Sequence, residues 1–245
     1  MPINETGHAR NIENFQRLIS FVTAFGAAYN PTNPLILPAA LNGKLTAANT
    51  ALDNVSAMVS PWKLAVNDRE IAFAPINKLT TRVVNAYAAT GTDVENVADA
   101  RTFARKIQGT RAKPAVKDNP ATPEDESAQS NSASQMSYTQ RVENLENLIN
   151  LLSNDPKYTP NEVELQTATL TTLADDLKSK NNAVINTSTP LSNSRISRND
   201  VLYTKDSGMI AQASLVKKYV KSLFGADSAQ YKQVSGLKFE NLKDK

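Results

Sequence analysis

Two short segments place a carboxylate beside an amide at equivalent positions, and these residues are the best suited to chemistry. The sequences NIENFQRLI and RVENLENLI contain Glu13-Asn14 and Glu143-Asn144. An enzyme would need both carboxylates in buried polar pockets, where acid–base chemistry is favoured. The structural alternative is that acids in the first turns of a helix interact favourably with its dipole. We expect the structural role, with all four residues on a wet helix face that is a candidate for partner binding.

Other catalytic and metal-binding chemistry has few candidate residues. The chain has one histidine, His8, and no cysteine, which excludes disulfides, thiolate zinc sites and thiol nucleophiles. A histidine-ligated metal site in a helical bundle needs several His and Glu residues on facing helices, and His8 is predicted to be exposed before the first helix. No glycine-rich phosphate loop or nucleophile motif is present. We therefore predict a protein that is not an enzyme and that binds no cofactor or metal.

A second candidate surface combines basic and aromatic residues near the carboxyl end. Its lysines are Lys217, Lys218, Lys221 and Lys232. They could bind nucleic-acid backbone or an acidic protein surface, although lysines near helix C-termini are also favoured by the helix dipole. Residues 1–110 carry 10 basic and 8 acidic side chains, and residues 138–245 carry 14 and 12. This mild excess falls short of the basic stripe typical of nucleic-acid binding.

The two Glu-Asn segments begin two copies of a longer pattern. Tyr29 and Tyr87 match Tyr158 and Tyr219, at offsets of 129 and 132 residues. An ordered series of such matches, whose offset changes in small steps, indicates internal duplication. Between the copies, residues 110–137 contain three prolines and almost no large apolar side chain, so we predict a disordered linker there.

Each copy has helical periodicity throughout, and no stretch alternates as a strand would. Helices are predicted at 10–26, 35–59, 61–74 and 75–90, and at 138–154, 160–187, 190–204 and 207–224, with a short amphipathic helix after each set. Pro61 and Pro190 are each predicted to open a new helix, because proline suits the first helical position. The predicted fold is all-α: two tandem four-helix up-down bundles, residues 1–109 and 138–245, joined by the linker at 110–137.

The carboxyl half also carries a resemblance. The segments TPLSNSRISRNDVLY and VKKYVKSLFGADSAQYKQVSGLKF resemble a group of helix-rich hypothetical proteins of Bacteroidetes. The resemblance covers most of residues 138–239, with the amino half as a diverged copy. It implies a bacterial, cytoplasmic origin and implies no activity.

The predicted function follows from what these features permit. The longest strongly apolar stretch, LISFVTAFGAAY, has 12 residues, too few to span a bilayer, and the amino terminus lacks the pattern of a secretory signal. We expect a cytoplasmic, non-enzymatic interaction or scaffolding protein whose partner is protein, including a second copy of itself. In this hypothesis the linker raises the effective concentration of the second module. The alternative is a nucleic-acid- or envelope-associated accessory protein that uses the basic C-terminal helices.

Overall fold

The described part of the chain is helical. The computed structural model describes residues 6–110 and 137–242. Its α-helices are α1 Thr6–Ala24, α2 Pro38–Phe73, α3 Ile76–Ala89, α4 Val94–Gln108, α5 Tyr138–Ser153, α6 Thr167–Tyr203, α7 Met209–Phe224 and α8 Ala229–Ser235. Within the described ranges there is no β-strand, so the predicted all-α class is confirmed. The predicted linker at 110–137 lies almost wholly outside the described residues.

Two long helices take the place of four predicted ones. α2 continues through Pro61 and α6 through Pro190, so the prediction that each proline opens a new helix is wrong. An interior proline removes one backbone hydrogen bond and crowds the carbonyl four residues earlier. With 36 residues in α2 and 37 in α6, many other hydrogen bonds remain on both sides of the proline. A proline at a favourable N-terminal position therefore does not by itself establish a helix boundary.

The start of the second long helix also differs from the prediction. The chain first forms the short 3-10 turn Val163–Leu165, and α6 begins only at Thr167. The first half has the same arrangement, with the 3-10 turn Pro34–Ile36 before α2 begins at Pro38. A proline at residue 160 therefore belongs to the connection before the helix.

The chain divides into two compact units, and each unit draws on both halves of the sequence. Unit 1 comprises residues 1–62 and 187–245, and unit 2 comprises residues 63–186. These boundaries differ from the predicted bundles at 1–109 and 138–245. Within unit 2, α3 packs with α4, and α4 packs with α5.

Unit 1 has its own apolar core, to which α1, α2, α6, α7 and α8 contribute. Phe15 and Leu18 of α1, Leu41 of α2, Leu202 of α6 and Val216 of α7 are fully buried there. Burying a side chain of this size stabilises the fold by about 1.5–3 kcal/mol. This core fixes the faces that α1 and α7 present to solvent.

Unit 2 has a separate core with related composition. Tyr87 of α3, Ile107 of α4, Leu145 and Leu148 of α5 and Leu177 of α6 are buried within it. In sequence order α5 is the first helix of the second half, whereas α3 and α4 are the last helices of the first half. Unit 2 therefore joins the end of one half to the beginning of the other.

The same loop contact occurs once in each half. The Tyr29 hydroxyl donates to the Ile36 carbonyl and the Tyr158 hydroxyl donates to the Leu165 carbonyl, both at 2.8 Å. Burial raises the pKa of Tyr29 and raises the pKa of Tyr158 to about 12. Both phenols therefore remain donors across the physiological range, and each fixes the 3-10 turn before a long helix.

Candidate functional site

The two glutamates singled out from the sequence lie in solvent. Glu13 is exposed and pairs with Arg17, one helical turn further along α1. Glu143 is exposed on α5. The enzymatic arrangement considered from the sequence required both carboxylates in buried polar pockets, and these two residues do not provide it.

The asparagine beside each glutamate points elsewhere, so the prediction of a shared wet face is wrong for the amides. Asn144 is buried, and its Nδ2 donates to the Gln140 carbonyl at 2.7 Å within α5. Asn14 is half-buried, and its Nδ2 donates to the Lys238 carbonyl at 2.7 Å. Neighbouring residues are about 100° apart on a helix of 3.6 residues per turn, which separates each amide from its glutamate.

Asn14 is one of the side chains on α1 and α7 that hold residues 237–242 by their backbone. We call residues 237–242 the tail, and the surface formed by Asn11, Asn14 and Lys217 the tail groove. Asn11 makes two hydrogen bonds to one residue of the tail. Its Nδ2 donates to the Glu240 carbonyl at 2.8 Å, and its Oδ1 accepts from the Glu240 amide at 3.0 Å. An amide side chain thus satisfies both backbone groups of a single residue.

The opposite side of the tail is held from α7. The Lys217 ammonium donates to the Leu237 carbonyl and, at 3.4 Å, to the Ser235 carbonyl. The next carbonyl, that of Lys238, accepts from α1 through Asn14. The tail has no regular secondary structure, and side chains of α1 and α7 bind neighbouring carbonyls within it.

Apolar side chains of the tail complete the contact. Leu237, Phe239 and Leu242 are half-buried and pack against the unit 1 core. The Lys217 ammonium lies 5.1 Å from the centroid of the Phe239 ring. Leu242 lies so close to Gly7 that a Cβ at residue 7 would be 2.5 Å from its Cδ1 atom. Backbone hydrogen bonds together with apolar contacts to some of the side chains are the chemistry by which proteins bind extended peptides.

The predicted basic surface is divided in the structure. Burial lowers the pKa of Lys217, whose ammonium is directed at the tail carbonyls. Lys221 lies with its Nζ 5.7 Å from the centroid of the Tyr231 ring. Lys218, Lys221 and Lys232 are exposed. Of the four lysines, the structure places Lys217 within the tail groove and leaves Lys218, Lys221 and Lys232 exposed.

His8 is buried, so the prediction that it is exposed is wrong. Only 6% of its surface is accessible, and its Nδ1 lies 2.6 Å from the Tyr203 hydroxyl. The same hydroxyl accepts from the Asn11 Nδ2 at 3.3 Å. His8 and Tyr203 therefore position the asparagine that binds the tail.

A carboxylate in unit 2 joins the loops after α3 and α5. Asp155 accepts hydrogen bonds from the Thr92 hydroxyl, from the Tyr87 hydroxyl at 2.8 Å and from the Lys157 amide at 2.9 Å. These donors, Thr92 foremost, lower the pKa of Asp155. Burial, together with the hydrogen bond to Asp155, raises the pKa of Tyr87. The cluster is a structural junction, since each of its donors is already directed at one acceptor.

Unit 2 also has an apolar concavity of about 490 Å³. Leu79 of α3 and Leu170 and Leu173 of α6 line its floor. An ion pair between Arg82 and Glu164 lies at its edge. The concavity provides apolar surface but no buried polar group that would select a ligand.

Asn11 and the tail are the functional candidates that sequence reasoning missed. Asn11 and Asn14 are three residues apart, a spacing that places two side chains on one helical face, and this repeated amide is a signal that the sequence contains. Their partner in the tail is more than 220 residues away in the chain. Nothing in the local pattern identifies a contact over that separation.

Comparisons with known proteins give no relative from which a function can be transferred. No protein-family model matches the chain, and neither a curated protein nor a solved structure matches it. The resemblance to Bacteroidetes hypothetical proteins therefore stays a prediction. Among the described residues, no helix is long and apolar enough to cross a membrane. In the same ranges, no three His, Asp or Glu side chains are grouped so that they could hold a metal ion.

Proposed function

We propose that this chain is a cytoplasmic, non-enzymatic interaction protein with two related helical modules, and that the tail groove binds extended peptide segments. The partner class is protein. The modules are related through an internal duplication of the chain.

The duplication is supported by equivalent contacts in the two units. Tyr29 packs edge-on against Tyr219, with ring centroids 5.2 Å apart and an interplanar angle of 88°. Tyr158 packs in the same way against Tyr87, at 5.7 Å and 84°. Each pair takes one tyrosine from each half of the sequence, and the pairs correspond at the offsets that relate the two copies. Duplication of one ancestral tyrosine pair accounts for the presence of equivalent contacts in both units.

The observation that carries the proposed activity is the way in which the tail is held. Asn11, Asn14 and Lys217 bind the main chain of Leu237, Lys238 and Glu240. Main-chain recognition depends little on the peptide's own side chains, whereas apolar contacts to some of the side chains select its sequence. A surface of this kind binds a peptide strand whether that strand is attached to the chain or separate.

The basic C-terminal helices give less support to nucleic-acid binding. The Lys217 ammonium is directed at carbonyls and at the Phe239 ring, so it contributes less charge to a phosphate-binding surface than its position in the sequence suggests. Phosphate binding requires several accessible cations acting together. Lys218, Lys221 and Lys232 are exposed, but residues 138–245 carry only two more basic than acidic side chains, 14 against 12.

The proposal is tested with a fluorescent peptide of residues 236–245, GLKFENLKDK, titrated into the full chain and followed by anisotropy. In F239A/L242A the attached tail loses two of its apolar side chains, so it is held more weakly and competes less with the added peptide. We expect this variant to bind the peptide about tenfold or more tightly than the native chain, in which the attached tail competes at high effective concentration.

A matched variant identifies the site of binding. Adding N11A/N14A to the tail variant removes the amides that bind the peptide backbone and should abolish binding. Circular dichroism must show that all variants keep their helical content. Absence of peptide binding to folded F239A/L242A, or equal binding with and without Asn11 and Asn14, would overturn the proposal.

A further inference from the structure

The tail groove has an occupant of known sequence, because every copy of the chain carries both a groove and a tail. The tail contacts α1 through Asn11 and Asn14, α7 through Lys217, and the unit 1 core through Leu237, Phe239 and Leu242. Its covalent connection to that unit runs through Gly236, directly after α8. We infer that copies of this chain exchange tails, so that the tail of one copy occupies the groove of a second copy. This inference rests on the proposed function of the groove as a peptide-binding site.

The contacts of an exchanged tail are already present within a single copy. Exchange of an identical element between protomers keeps every native contact and changes only the route of the connection. The bonds from Asn11, Asn14 and Lys217 are made to main-chain atoms of the tail. They can therefore form identically whichever copy supplies the tail.

The part that must detach is small and separate from the core helices. α8 ends at Ser235, and its Val234 is fully buried in the unit 1 core. The three apolar tail residues after it are only half-buried. Segments with few buried contacts open at much lower free energy than the core. Release from Gly236 onward thus leaves α8 and the remaining core in place.

Charge is compatible with a second copy as the occupant. Lys238 and Glu240 of the tail are exposed, and they line one concavity together with Arg10 and the buried Asn11 of α1. Glu240 of the attached tail lines this concavity with the oppositely charged Arg10, and Glu240 of an incoming tail would do the same. Opposite charges at the edge of an interface favour association.

Complementary variants of the full chain test the exchange. N11A/N14A has a weakened groove and an intact tail, whereas F239A/L242A has an intact groove and a weakened tail. Each variant alone should remain at the mass of one chain, 26.6 kDa, in light scattering coupled to size-exclusion chromatography. Mixed at concentrations on the order of 0.1 mM, where contacts of micromolar strength are saturated, they should form a 1:1 species of twice that mass.

Two further measurements make the test specific. Excess peptide of residues 236–245 should return the mixture to single chains, because it occupies the same groove. A control mixture of F239A/L242A with the quadruple variant, which has neither an intact groove nor an intact tail, should not associate. If the folded complementary variants fail to associate, tail exchange is overturned. Peptide binding by F239A/L242A would in that case still support the groove as a peptide-binding site.

Discussion

Asn11 illustrates how a single amide side chain can bind a peptide backbone. Its Nδ2 donates to the Glu240 carbonyl at 2.8 Å, and its Oδ1 accepts from the Glu240 amide at 3.0 Å. One side chain therefore satisfies both backbone polar groups of Glu240. A carboxylate could accept from the backbone amide but could not donate to the carbonyl. An amide such as that of Asn11 can therefore bind both backbone groups of one residue, whereas Glu13 is exposed and pairs with Arg17.

At the same scale, Asp155 should make the stability of the chain depend on pH. Its folded pKa is lowered by donors from Thr92, Lys157 and Tyr87, so the carboxylate stabilises the fold above the ordinary pKa of 3.8. That contribution is lost as pH falls through the lower, folded pKa, because protonation then occurs in both states. We expect D155N to lower the free energy of unfolding at pH 7 and to approach the native value at strongly acidic pH.

Chemical denaturation of D155N and the native chain across this pH range measures the effect. D175N is the matched control, because Asp175 is exposed and no hydrogen bond from a described donor reaches it. A D155N deficit that is equally large below the folded pKa would show that the carboxylate charge is not responsible.

Secondary structure, in contrast, depends on context beyond the local residues. Ile12-Glu13-Asn14-Phe15 lies within α1, whereas the closely similar Phe239-Glu240-Asn241-Leu242 has no regular secondary structure. The segment in α1 is flanked on both sides by further helical residues, and the unit 1 core buries the apolar stripe of this helix. The segment in the tail follows the short helix α8, and its backbone forms hydrogen bonds with the Asn11 side chain instead. Tertiary contacts therefore override the local preference.

The long helices give a prediction at this scale. Pro61 is exposed and interior to α2, where proline costs about 3 kcal/mol relative to alanine. We expect P61A to raise the free energy of unfolding by about 1–3 kcal/mol, because it restores a backbone donor without removing packing. P190A in α6 should behave in the same way.

Pro38 supplies the control within the same helix. It is exposed and is the first residue of α2, where a backbone donor has no intrahelical partner. P38A should leave stability nearly unchanged in urea denaturation. Equal, negligible effects of P61A and P38A would mean that Pro61 also opens a helix, as the sequence alone suggested.

For the whole molecule, the positions of the helices could be predicted from the sequence more readily than which helices pack together. The predicted spans 10–26, 75–90, 138–154 and 207–224 lie within a few residues of α1, α3, α5 and α7, because apolar periodicity is a local property. Which helices pack together is not local. If the halves are copies, their apolar faces are related, and each first helix fits the last helices of either half. Which of these pairings forms depends on whether α2 and α6 are continuous. The sequence predicted a break in each of them, because proline favours the first position of a helix.

The composition of the two units leads to a final prediction about the halves as separate chains. α4 and α5 flank residues 111–136, and both belong to unit 2, where the Arg141 side chain donates to the Ile107 carbonyl at 2.9 Å. Residues 1–123 and 124–245, produced together as two chains, should therefore form a stable 1:1 complex, since each unit needs helices from both. Neither fragment alone should show cooperative unfolding, because each would expose half of two cores. Co-purification on a tag carried by one fragment, followed by thermal denaturation of the complex and of each fragment, measures this. Two fragments that fold and unfold independently would instead restore the sequential arrangement of one bundle in each half.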